Sequence, residues 1–175
     1  MIVPFYLGQP DTKGRMIQEI WAWDFKKIEG VHDYIQWLFP LPERSSFNPD
    51  APVVDDEVIQ AFHTNTALRQ NLLKSLTLML RFYGLQGGED NLGDFVVIKS
   101  EEYPIRKQEW ICVMNHNYLR ITRILRCLMV LGLESYAQSF YRCLEQIYRE
   151  ESRHIGAKTF QYWTNAINQN GDTAG

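Results

Sequence analysis

Three groups of residues in this chain have the types and spacing to do chemistry. The first is the run His32-Asp33-Tyr34-Ile35-Gln36-Trp37-Leu38-Phe39-Pro40. It sets aromatic rings behind a histidine and an aspartate and ends on a helix-stopping proline. In a short helix Tyr34, Trp37 and Leu38 share one face and Gln36 lies on another. Aromatic rings bury large areas, while the polar tips of Tyr and Trp still require partners. The segment is therefore a plug of the core or the wall of a recognition groove, with His32 and Gln36 as exposed contacts. The second group is His116, Asn117, Arg120 and Arg123. Their i, i+3 and i, i+4 spacings share one helix face near its N-terminus. Two guanidinium groups beside a helix N-terminus suit an anion: a peptide carboxylate, a phosphate or an internal acid. The plainer reading leaves these arginines solvated or paired with acids such as Glu134 or Glu145.

The third group is a pair of Glu-x-x-His spacings, Glu29/His32 and Glu151/His154. Two such pairs on two helices, with two further glutamates, hold the metals of ferritin-like bundles. Here Gly30 weakens helix around the first pair, and the second sits on what reads as an exposed helix end. His32-Asp33 has the residue types of an HD-type metal hydrolase but no fitting array of further His and Asp ligands. The sequence has no phosphate-binding loop, nucleophile elbow, zincin motif or dinucleotide glycine fingerprint. Cys112, Cys127 and Cys143 lie in apolar runs with no CxxC spacing and read as small core residues. No catalytic residue, metal or cofactor is expected.

The elements that must position these groups are mostly helical. Met16, Ile17, Ile20, Trp21 and Trp23 recur at helical spacing after Asp11-Thr12 as caps. A short helix is expected from Asp33 to Pro40, then a loop to Pro52. Asp55-Asp56-Glu57 place acids in the first turn of the next helix, where its dipole favours them. A long helix follows from about Asn65 to Tyr83, with Leu68, Leu72, Leu76, Met79 and Leu80 as its stripe and Gly84 beyond its end. Residues 86–91 read as loop. Phe95–Ile98 reads as a lone strand, free to pair with Ile2–Tyr6. Helix resumes near Asn117 and stops at Gly132. The Ser135-x-x-Gln138 spacing resembles a capping box opening the next helix, and so short a connection makes an antiparallel hairpin. A last helix spans about 156–168, and 169–175 reads as a frayed tail.

The bulk numbers set bounds. With 45% apolar and 22% charged residues among 175, the chain can bury the core of one globular domain, expected over 1–168. A formal charge of −3 runs against a nucleic-acid footprint over the whole domain, so no nucleic-acid partner is expected. Three cysteines, an odd number, read as free thiols of a reducing compartment. No apolar run approaches the roughly 20 residues that span a bilayer, and Met1–Tyr6 lacks a basic region before an apolar one, so no signal peptide is expected. A cytoplasmic protein is the expectation.

The run 32–40 resembles the signature of the opioid growth factor receptor conserved domain. Asn115-His116-Asn117-Tyr118-Leu119-Arg120-Ile121-Thr122-Arg123-Ile124-Leu125 is similar to its second signature, followed by Leu131-Gly132-Leu133-Glu134. Leu80-Arg81-Phe82-Tyr83-Gly84-Leu85 also resembles the family pattern. The likeness runs from about Trp23 to Trp163. It implies an α-helical domain, binding of an enkephalin-type peptide, a role in growth control, and nuclear association in animal members. The chain lacks the long acidic, proline-rich repeats and the basic nuclear-localisation run of the animal proteins.

The fold expected is all-α: an orthogonal or antiparallel bundle of about six or seven helices with at most one short strand pair. The function expected is a non-catalytic module that binds a peptide or protein, anionic ligands included, through His32, Tyr34, Gln36, Trp37, His116, Asn117, Arg120 and Arg123. The alternative is a small-molecule or metal-dependent enzyme using His32, His116 and nearby carboxylates. A third reading is purely structural oligomerisation.

Overall fold

The structure is a computed structural model that describes residues 1–168. The chain is mostly α-helical, with one two-stranded sheet among the described residues. The frayed tail expected at 169–175 lies outside them. The chain forms two compact units: Met1–Met79 with Val130–Gly132, and Leu80–Met129 with the chain from Leu133 onward.

The first unit opens with α1 (Ile2–Tyr6), α2 (Ile17–Trp21) and α3 (Phe25–Gly30). Each is shorter than two turns, so packing and not propensity must hold it. Ile2, Phe5, Tyr6, Ile17, Ile20 and Ile28 are its buried anchors. The expected caps at Asp11-Thr12 are corrected. Asp11 is buried, and its carboxylate accepts the Lys13 and Arg15 backbone N–H groups, closing a turn ahead of α2. The N-terminus of α2 is served by Glu19, which accepts the Met16 N–H at 2.7 Å. Asp24 caps α3 by accepting the Lys27 N–H at 2.8 Å. The single-turn helix α4 (Ile35–Leu38) follows; Tyr34 holds its N-cap position with no side-chain cap, so it begins later than the expected Asp33. Its residues are all buried. After the loop, α5 (Asp56–Thr64) carries Asp56 and Glu57 in its first turn, with Asp55 accepting the Val58 N–H at 2.9 Å. Its Phe62 meets Tyr6 edge-to-face at 5.2 Å, joining α1 to α5. The long helix α6 (Thr66–Phe82) begins after Asn65, whose side chain accepts the Leu68 N–H. Leu68, Leu72, Leu76 and Met79 are buried along its stripe.

The second unit begins at the end of α6. β1 (Leu85–Glu89) and β2 (Phe95–Lys99) form an antiparallel hairpin, with Leu85 opposite Lys99 and Glu89 opposite Phe95. This corrects two expectations. Residues 85–89 form a strand although 86–91 read as loop, and β2 pairs with them and not with Ile2–Tyr6, which is helical. The cause is local: a turn at 90–94 closes when the Asp90 carboxylate accepts the Leu92 and Asp94 N–H groups at 2.9 Å. Gly87 permits the pairing, because a Cβ there would lie 2.5 Å from the Phe95 ring. Then come α7 (Tyr103–Trp110), α8 (Asn117–Val130), α9 (Glu134–Ile155) and α10 (Ala157–Ile167). α7 carried no clear sequence stripe. α9 starts at Glu134 with no side-chain cap, so the expected Ser135 capping box does not form. It packs against β2 and α10, and the Ser139 hydroxyl donates to the Phe95 carbonyl at 2.7 Å. Near its end Glu151 leaves helical geometry (φ −123°, ψ 28°) and kinks it.

Gly84 is the tightest backbone approach in this unit. It has φ +80°, and a Cβ there would fall 2.7 Å from the Tyr103 Cα. Gly84→Ala adds backbone strain and overlap together, so it should cost more than about 1 kcal/mol. The urea midpoint measures this, and an unchanged midpoint would contradict the close approach.

Candidate functional site

Asp33 is held by cations from the preceding turn. Lys13 pairs with one of its oxygens, and Arg15 Nη1 donates to the other at 2.7 Å. Arg15 Nε also donates to Asp11 at 2.7 Å. Burial by itself would raise the Asp33 carboxyl, but the hydrogen bonds from Lys13 and Arg15 outweigh it and hold the group below its ordinary value. The Tyr34 hydroxyl donates to the Ile28 carbonyl at 3.0 Å, near the end of α3, and Trp23 meets its ring edge-to-face at 5.4 Å. Trp37 is 3% exposed and meets Phe5 edge-to-face at 5.1 Å. Gln36 is also buried, against the expectation that it faces outward, and its Oε1 has no hydrogen-bond partner. His32 is exposed. Tyr34 and Trp37 therefore lie where a core plug places them.

The second group is divided by burial as well. α8 begins where the Asn115 side chain accepts the Asn117 N–H at 2.8 Å. Asn117 is fully buried, and its Oδ1 accepts from the Tyr83 hydroxyl and from Arg120 Nη1, each at 3.4 Å. Arg120 is 6% exposed. His116 is exposed and Arg123 half-buried. So the four residues do not form one solvent face: Asn117 and Arg120 turn into the packing that Ile121 and Leu125 also enter.

The Glu-x-x-His pairs part company. Gly30 closes α3, leaving His32 beyond a Val31 cap in extended conformation. Glu151 and His154 do meet, at 3.1 Å, and Lys107 reaches the other Glu151 oxygen at 3.1 Å. Burial opposes ionisation of Glu151, and the Lys107 and His154 hydrogen bonds reverse the balance and lower its pKa. This arrangement pins the kink of α9. Among the described residues no group of three or more His, Cys, Asp and Glu could hold a metal ion. Cys127 and Cys143 are buried, and burial pushes the Cys143 thiol up to about 11. Cys112 is exposed, which corrects its reading as a core residue. It opens a loop that packing does not bury.

The family described as the opioid growth factor receptor (OGFr) conserved region matches residues 5–173. The chain belongs to this family. It is 36% identical over 132 residues to the opioid growth factor receptor of Mus musculus, covering 74% of this chain and 20% of that protein. It is 32% identical over 161 residues to the opioid growth factor receptor of Homo sapiens, covering 88% of this chain and 23% of that one. It is 37% identical over 137 residues to opioid growth factor receptor-like protein 1 of Mus musculus, covering 77% and 27%. The chain thus spans about a fifth to a quarter of the curated relatives it matches. No solved structure matches it. No helix among the described residues is long and apolar enough to cross a membrane.

Three surface features of this family member escaped the sequence reading. One is the loop 112–116, where Val113 is 68% and Met114 92% exposed; Leu119 on α8 is 57% exposed. An apolar residue outside a periodic stripe, next to Asn and His, was its only sequence trace. The second is a cavity of about 510 Å³ between the hairpin and α9, lined by Glu89, Asp94, Phe95, Tyr136, Gln138 and Arg142 among others. The third is an open cavity of about 480 Å³ beside Trp23, whose ring carries Lys27 at 4.7 Å and Arg15 at 5.8 Å.

The Asp33 arrangement makes a pH prediction. Its lowered pKa contributes stability that is complete above the ordinary value of 3.8 and is lost as the pH falls through the lowered one. Wild type should therefore lose stability more steeply than Asp33→Asn as the pH falls from about 5 to about 2. Parallel urea midpoints of the two proteins over that range would contradict it.

Proposed function

We propose that this chain is a non-catalytic recognition module for a peptide or protein segment that pairs an apolar side chain with a carboxylate. The relatives named opioid growth factor receptor support ligand recognition as the family's business. The observation that carries the reading is the exposed loop before α8. Val113, Met114 and Leu119 are large apolar side chains standing in solvent, and Met114 takes the left-handed conformation at φ 59°. That conformation is costly for a residue with a side chain and persists only when its surroundings impose it. They do so here. The Tyr118 hydroxyl donates to the Cys112 carbonyl at 2.6 Å. The Asn115 backbone N–H donates to the same carbonyl at 3.3 Å, and the Asn115 side chain donates to the Glu109 carbonyl at 3.4 Å. The loop is a fixed apolar knuckle, which lowers the entropy lost on binding.

His116, Leu119 and Arg123 follow at i, i+3 and i+7, one face of α8 next to its N-terminus. The Arg123 guanidinium, a His116 ring N–H and the helix dipole favour a carboxylate beside the apolar anchor. Asn117 and Arg120 serve as the buried support of this face. The aromatic run 32–40 supports its own unit through Tyr34 and Trp37, while His32 remains an exposed candidate contact. The enzyme reading built on His32, His116 and carboxylates has no support from the comparisons.

Fluorescence anisotropy with two labelled probes tests the reading: an enkephalin-type peptide, the ligand implied by the family resemblance, and an acetylated, amidated peptide containing Phe-Glu. Met114→Asp and Leu119→Asp should each weaken binding by more than about fivefold, as loss of an apolar anchor does, with the far-ultraviolet dichroism unchanged. Equal affinity of wild type and both variants would refute the proposed face.

A further inference from the structure

The cavity between the hairpin and α9 belongs wholly to the second unit. Its volume of about 510 Å³ falls within the range of small-ligand and side-chain pockets. Its floor is the tilted pair of Phe95 and Tyr136 rings, 4.6 Å apart. Its walls carry charges of both signs: Glu89, Asp90 and Asp94 on the hairpin, Arg142 on α9. Asp90 is committed to its turn through Leu92 and Asp94. Glu89, Asp94 and Arg142 make no ion pair among the described residues, although all three line the same cavity. Side chains of opposite charge that face one space without meeting leave room for a group between them. The walls are also built. Gly87 lets the Phe95 ring lie across the strand, and Ser139 fixes the Phe95 backbone to α9.

We propose that this cavity is a second recognition site, separate from the face at α8, and that it takes an arginine or lysine side chain presented next to an aromatic one in a peptide or protein segment. With Asp90 committed to its turn, Glu89 and Asp94 still outnumber the one guanidinium and select a cation. The cation lies against the hairpin, its aromatic neighbour packs on Phe95 and Tyr136, and Arg142 and Gln138 donate to backbone carbonyls of the segment. The Phe and Tyr rings add a cation–π attraction to the charge term. Because the carboxylates are open to solvent, binding weakens with salt.

The test uses the full chain and two labelled, acetylated and amidated peptides that differ only in containing Phe-Arg or Phe-Glu. Capped termini leave the side chain as the sole difference in charge. Wild type should bind the Phe-Arg peptide about tenfold more tightly, a difference of about 1.4 kcal/mol. Glu89→Gln with Asp94→Asn should weaken binding of the Phe-Arg peptide about tenfold and leave the Phe-Glu affinity, which belongs to the α8 face, unchanged. Glu89→Lys with Asp94→Lys should invert the preference. Both side chains are exposed, and the turn's hydrogen bonds use only the Asp94 backbone, so the substitutions leave them in place; helical dichroism confirms folding. No preference in wild type, or a preference that survives both double variants, would overturn the proposal. Met114→Asp should leave the Phe-Arg affinity unchanged; a matching loss there would show one site, at α8, and overturn the second.

Discussion

The constraint on which this structure most depends is the satisfaction of helix ends by aromatic donors. A helix leaves its last carbonyls without partners, and a chain of short helices multiplies the problem. Here Tyr and Trp side chains answer it. Tyr34 donates to Ile28 at the end of α3, and Tyr6 donates to Leu38 at the end of α4. Trp110 donates to Tyr83 just beyond α6, where Arg106 takes the Phe82 carbonyl and Ser100 takes that of Gly84. Tyr118 closes the Cys112 carbonyl after α7. Each bond contributes about 1 kcal/mol net, but a buried carbonyl left unpaired costs about 1–3 kcal/mol. The rings bring their own burial, about 1.5–3 kcal/mol for a large apolar side chain. One residue thus fills the core and terminates a helix.

This double use bears on the burial of the aromatic run 32–40. A tyrosine that must reach a carbonyl inside its own unit cannot also present its ring to a ligand. The burial of Tyr34 follows from that demand, and Trp37 is buried against Phe5. Other surfaces are held by the packing without being covered by it. The loop before α8 is one, because the Tyr118 hydroxyl anchors its backbone while Val113 and Met114 point out. The same hydroxyl lies 3.5 Å from the His154 carbonyl, next to the kink that Glu151, Lys107 and His154 pin. Burial, then the neighbouring Cys112 thiol, pushes Tyr118 up to about 12, so it stays a donor at neutral pH.

The legibility of the fold tracked element length. α5, α6, α8 and α10 were readable, because a stripe such as Leu68, Leu72, Leu76 and Met79 repeats often enough to fix the period. α1 and β1 were not. Ile2–Tyr6 is too short to show a period, and Gly87-Gly88 argues against a strand in isolation. The hairpin exists because the Asp90 turn brings β1 to β2 and Phe95 needs the space above Gly87. Ten helical segments occur among the described residues where about six or seven were expected, since single-turn pieces such as α4 are held by tertiary contacts that leave no periodic trace.

What the sequence alone determined was the family and the helical class, because both reside in residue order: the aromatic run 32–40, the run 115–125 and the apolar stripes. It also put His116, Asn117, Arg120 and Arg123 on one helix face. Only the tertiary structure decided which members of those runs reach solvent. Asn117 and Arg120 share a run with His116 and Arg123, yet the first two are buried and the others are not. Spacing sets the direction of a side chain about its own helix; exposure depends on what the rest of the chain packs against that direction, and residue order does not carry it.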